Sequence, residues 1–253
     1  MKKRIVKRLY GYIPDCGDIR DIPFMGLTAP VDLPASVDLR PLFLPVYDQG
    51  RTGSCVAQAT AAAHWYCNKQ QAQEAFDPSR LFIYYEARHL ERREKYDAGC
   101  MIRDAIKVLA KNGVCPEADW PFLIKNVCVH PPHSVYPDAL NEQALEYYRL
   151  SNGLMAMRQC LADGFPFVTG ISLYASFQSA AVAKSGVVSM PIKGERFVGG
   201  HAVLVVGYND PMEVFIVRNS WGSWGQAGYF TIPYDYLCNQ HLCTDSWTLR
   251  KVE

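Results

Sequence analysis

The sequence predicts an α+β fold with two lobes. Apolar residues recur with helical spacing through most of the first half, while short β-rich runs separated by turn residues fill the second. With 253 residues, 49% of them hydrophobic, the chain is long enough for two small lobes with a real core between them. The expected organisation is an extended N-terminal arm over residues 1–32, a mainly helical lobe over 33–150 and a mainly β lobe over 151–253.

The arm (YGYIPDCGDIRDIPFMG) is dense in turn residues and has no sustained period. From Cys55, apolar or small residues recur at Val56, Ala59, Ala63, Tyr66 and Cys67, one face of a helix. Asp77-Pro78 opens a second helix through RLFIYYEARHLERR. Ile102, Ala105, Ile106 and Leu109 stripe a third, stopped by Asn112-Gly113. After a proline-rich connection, residues 141–149 and 154–162 also read as helical. The segments FPFVTGISL, HAVLVVGY, VFIVRNS, GYFTIP and SWTLRKV then read as antiparallel strands.

A net charge of +1 gives no basic surplus for nucleic acid and no acidic surplus for a disordered tail. Five of the first eight residues are basic, but no apolar run follows them, so the reading is a solvated end with no export signal and no membrane span. Nine cysteines is an odd number, which suits buried reduced thiols and a reducing compartment. In an oxidising compartment Cys238 and Cys243 could close a short loop. A monomer is expected.

The stretch DQGRTGSCVAQA places a thiol where a glycine-punctuated loop becomes a helix. A core-filling cysteine would sit better in mid-helix. At a helix start the dipole lowers thiol pKa, and a nearby imidazolium lowers it further, giving the thiolate that attacks carbonyls. Of the six histidines, His64 falls more than two turns along the same helix, and His89 lies in an arginine-rich helix end. His201 instead opens a strand directly after two glycines (FVGGHAV), where the ring can sit at the lip of a sheet. Asn219 ends the next strand, and hairpin pairing would bring its amide oxygen to the imidazole to fix ring and tautomer, with Trp221 as a shield.

In this order along the chain, LPASVDLR, DQGRTGSCVAQA, DAGCMIRDAIKVLAKNGVCPEADWPF, GGHAVLVVGY and VRNSWGSWGQAGYF resemble the papain family of cysteine peptidases, over about residues 33–237. His201 lies 146 residues after Cys55, within the long spacing known for that family. The resemblance implies a papain-like fold, helical on one side of the cleft and β-barrel-like on the other. It implies peptide hydrolysis through a thioester, with an extended peptide or protein substrate and no cofactor. It implies Cys55 as nucleophile, His201 as base then acid, Asn219 as its orienter, and Gln49 with the Cys55 N–H as oxyanion donors. Gly99 and Cys100 would border the substrate backbone, with Gly200 and Trp221 also on the substrate-binding side; Val168, Gly170, Val198 and Gly199 are a guess at apolar pocket lining.

Four positions depart from the family pattern. Thr52 replaces a common disulfide cysteine, Val56 a bulky aromatic and Cys100 a glycine, and the asparagine block is one residue short before Trp224. The arm is too short for a helical inhibitory propeptide and resembles the N-terminal stretch of a propeptide-poor, mostly microbial branch; it either gates the cleft or packs as structure. An acyl transferase or transpeptidase on the same thiol, or a non-catalytic peptide-binding protein, are the alternatives. Metal is the rival chemistry: CNQHLC and CVHPPH each offer three ligands, but neither has paired-knuckle spacing, so no metal site is expected.

Overall fold

The computed structural model describes residues 9–25, 32–71 and 76–253; the basic MKKRIVKR stretch lies outside them. Three helices dominate the first half: α1 (Cys55–Gln70), α2 (Arg80–Leu90) and α3 (Ile102–Lys111). Thirteen of the sixteen residues of α1 are buried, so it has a core surface all round rather than the single face its periodicity suggests. The reason is its place: α2 and α3 pack on it, and so do sheet strands from the other half of the chain. Its five alanines from Ala57 to Ala63 let neighbours approach closely. Ser79, rather than the Asp77-Pro78 pair, caps α2, its hydroxyl accepting from the Phe82 N–H. Gly113 ends α3 in the left-handed region at φ +65°.

A further one-turn helix, α4 (Tyr136–Ala139), and α5 (Leu154–Ala162) flank β2 (Ala144–Leu150). Residues 141–149 therefore do not form the expected helix. The run ALEYYRL is helix-compatible by itself, but antiparallel pairing with β7 (Cys243–Val252) settles it as a strand. The other strands are β1 (Ser36–Asp38), β3 (Phe167–Tyr174), β4 (Phe197–Asn209), β5 (Val214–Arg218) and β6 (Tyr229–Pro233). They form one antiparallel sheet in the order β2-β7-β3-β4-β5-β6, with β1 added on β4. Residues 33–150, expected to be mainly helical, thus supply two strands to the sheet.

Residues 9–25 of the arm run along both parts. Tyr12 bridges Cys100, and Ile22 to Phe24 extends along β2, where Phe24 N donates to Arg149 O at 2.7 Å and Arg149 N to Ile22 O at 2.8 Å. This covers backbone groups that an edge strand leaves open.

Candidate active site

Cys55 begins α1 and is fully buried. Ser54 precedes the helix, but its hydroxyl does not cap it; it is engaged by Thr52 Oγ1 at 2.7 Å and accepts from Gln58 Nε2 at 3.1 Å. The sulfur accepts from the backbone N–H of Ala202 at 3.4 Å, which brings the thiol beside the residue that follows His201. Burial pushes the Cys55 thiol up, with the amides of Ala202, Gly11 and Val56 acting against it. Helix dipole and imidazole were expected to lower it, so in this closed arrangement desolvation prevails.

His201 lies on β4, and Asn219 follows β5. The β4–β5 register pairs Leu204 with Arg218, so the hairpin carries Asn219 back toward the start of β4. Its Oδ1 meets His201 Nε2 at 2.8 Å. The same oxygen accepts from the Ser220 N–H at 2.8 Å, which holds the amide in place. The Trp221 ring lies 4.8 Å from the imidazole, tilted by 31°, and is itself buried.

Gln49 is buried, and its two amide ends are sorted. Oε1 accepts from Ser220 Oγ at 2.6 Å and Trp221 Nε1 at 3.2 Å. Nε2 is thereby turned the other way, donating to Thr52 O at 2.7 Å and to the carbonyl of arm residue Leu9 at 3.4 Å. Ser220 is a site residue that the sequence reading missed; a serine between Asn and Trp looks like any strand end. His64 is far from this chemistry, buried with Nε2 3.1 Å from Glu142 O, its pKa pushed down to about 4 by burial.

The arm fills the space in front of the thiol. Cys100 N donates to Gly11 O at 2.9 Å, Ile13 N to Cys100 O at 3.2 Å and Tyr12 N to Gly200 O at 3.2 Å. The residue replacing a family glycine, Cys100, thus still makes both backbone contacts, with its side chain turned into the core. Gly11 passes so close to Gly53 that a Cβ on it would stand 1.7 Å from the Gly53 oxygen. The Tyr12 ring occupies a slot against Gly170, where a Cβ would come within 2.0 Å of the ring. Tyr10 lies over Gly199, with its ring 6.5 Å from His201 and 6.2 Å from Trp221. Gly99, Cys100, Gly170, Gly199 and Gly200 therefore converge on the arm. Val168 is fully buried, paired with Leu204 and Trp247.

Trp224 stacks on Phe177 at 5.0 Å and meets Trp221 edge-on at 5.2 Å. All nine cysteines are free thiols, Cys238 and Cys243 included. Among the described residues, no three His, Cys, Asp or Glu side chains are grouped to hold a metal ion. No helix there is long and apolar enough to cross a membrane.

A thiol at a helix start, an imidazole anchored on an amide across the cleft and a backbone-binding groove between two lobes define the thiol peptidases. The family model for papain family cysteine proteases matches residues 33–245, and the chain belongs to that family. Xylellain, a cysteine protease from Xylella fastidiosa, superposes with a TM-score of 0.92 at 42% identity, each chain covered completely. An uncharacterized peptidase C1-like protein of Acanthamoeba polyphaga mimivirus is 38% identical across the whole chain and 90% of its own length. Cysteine proteinase 3 of Entamoeba histolytica is 29% identical over 80% of this chain, which spans only 63% of that relative. The family match begins after the arm.

Proposed function

We propose that this papain-family cysteine peptidase cleaves extended peptides with Cys55 as nucleophile and His201 as base then acid. With Nε2 committed to Asn219, the second ring nitrogen of His201 exchanges the proton with sulfur. The thiolate attacks the carbonyl carbon, and the oxyanion is met by Gln49 Nε2 and the Cys55 N–H. His201 then gives its proton to the leaving nitrogen as the C–N bond breaks. Water adds to the thioester with His201 taking its proton, and the acid product leaves as the thiol is restored.

The observation carrying this reading is the placement of the Cys55 sulfur against Ala202, next to an imidazole bonded to Asn219. The arm supports the substrate class, because the groove at Cys100 and Gly200 already holds an extended backbone by main-chain hydrogen bonds. An epoxide or iodoacetamide probe should label the protein at neutral pH at one thiol, and Cys55→Ala should abolish both labelling and cleavage of a peptide library. Labelling without cleavage would leave a binding protein. Products joined to an added amine in place of free acids would make it a transpeptidase.

A further inference from the structure

Between the cleft and the β2 edge, the arm is fastened by charge. Arg103 on α3 bonds Asp15 through Nε and Asp21 through Nη1, while its Nη2 donates to Asp21 Oδ2 at 2.9 Å and Cys16 O at 3.0 Å. Arg149 on β2 donates to Asp21 Oδ2 at 2.6 Å and Asp245 Oδ1 at 2.8 Å, and its Nη2 stands 3.5 Å from Asp15 Oδ1. The other oxygen of Asp245 takes the Tyr12 hydroxyl and the Asp15 N–H at 3.0 Å. Both guanidinium groups face the Trp247 ring, at 5.4 and 5.7 Å. The side chains of Asp15, Asp21 and Asp245 are 5%, 9% and 1% exposed, so their charges act on one another with little screening.

This cluster sets three carboxylates against two guanidinium groups. The other cations around the adjoining cavity of about 260 Å³ are already matched, Arg20 with Asp18 and Lys107 with Asp104. Of the remaining titratable neighbours, burial and Asp245 hold the Tyr12 phenol protonated, and burial holds the Cys243 thiol protonated, pushed up to about 12. Tyr147 lines the cavity and Cys16 lies exposed on the arm. The closed cluster therefore carries one buried negative charge too many unless a proton is bound.

We propose that the clasp of Asp15, Asp21 and Asp245 around Arg103 and Arg149 binds one proton when the arm closes the cleft, so that the arm leaves reversibly as pH rises from acid to neutral. Asp15 is the group that takes the proton. Burial, then Asp245, push it up to about 7, against the pull of Arg103. A carboxyl freed into water returns to near 4. The closed form thus binds more protons than the open form between about pH 4 and 7, and closure weakens across that window as pH rises. Asp21 works the other way. Burial raises it, but Arg103 and Arg149 outweigh that and hold it at about 2, so closure also weakens below pH 4. The clasp is tightest in mild acid.

The test uses the full chain and reads the arm directly, through exchange protection of the Tyr12 and Ile13 amides corrected for intrinsic rates, with peptide cleavage as a second readout. One proton corresponds to at most about tenfold per pH unit, so protection should fall about ten- to hundredfold between pH 5 and 7.5. Asp15→Asn keeps the shape and removes the surplus charge; its arm should stay protected at pH 7.5, and cleavage there should drop. Asp21→Asn should lower protection throughout and raise cleavage at pH 5. Protection independent of pH in the wild type, both variants moving the same way, or cleavage appearing only after intact mass shows the arm lost, would each overturn the proposal. The cleavage readout rests on the peptidase reading. Protection that responds as expected with no cleavage at any pH would sink that reading and leave the clasp standing.

Discussion

Gln49 has two ends with different work. Its oxygen is fixed by Ser220 and Trp221, so its nitrogen cannot flip away from the cleft. In the closed chain that nitrogen reaches the Leu9 carbonyl, where a substrate oxyanion would need a donor. Gln49→Ala should lower kcat by about 10²–10³-fold, the cost of one preorganised donor, with a much smaller change in KM; steady-state kinetics at pH 7.5 checks this. A raised KM with kcat unchanged would mean that Gln49 binds substrate in its ground state. The residues of this site were legible because each stands in a short dense motif. Cys55, His201, Asn219 and Gln49 were picked together, from motifs that follow one another in the family's order. Ser220 and Asp245 could not be picked, since nothing in SWGS or CTDSW says what the side chain will face. Both acquire their roles only when the hairpin and β7 are in place.

At the scale of elements, the strands of the second half were legible because β-branched and aromatic runs were separated by turn residues. The helix–strand error at β2 shows where that reading ends. Nothing within ALEYYRL excludes a helix, and its partner β7 lies about a hundred residues away in sequence. The stop of α3 was legible for the opposite reason, being local. Gly113 sits at φ +65°, and a Cβ there would stand 1.7 Å from the Ala139 oxygen. Gly113→Ala should therefore destabilise the fold by about 1–3 kcal/mol from backbone strain alone, more with the clash. At about 2–4 °C per kcal/mol for a chain of this size, thermal unfolding would show it. An unchanged melting temperature would mean that the α3–α4 junction moves freely, contrary to its packing.

For the whole molecule, the arm and the thiol form one system. Burial raises the Cys55 thiol while Gly11 lies beside it. Removing the plug's ring with Tyr12→Ala should lower that burial, so the pH profile of Cys55 alkylation should shift toward lower pH and its rate near pH 6 should rise. A profile identical to wild type would mean that the arm does not shield the sulfur. The sequence alone left this arm as either gate or strut. Its glycines and aspartates are ordinary turn residues until Arg103 and Arg149, from distant elements, meet them.

The attachment of the arm to β2 has a consequence for strength of inhibition. A tethered segment meets its groove at an effective concentration near millimolar, so the plug can shut the cleft while having little affinity of its own. A detached peptide LYGYIPD should therefore be a feeble inhibitor in trans, and a change of only about 1.4 kcal/mol in the fastening alters the closed-to-open ratio tenfold. Cheap control of this kind suits an enzyme that must be held quiet and then freed intact.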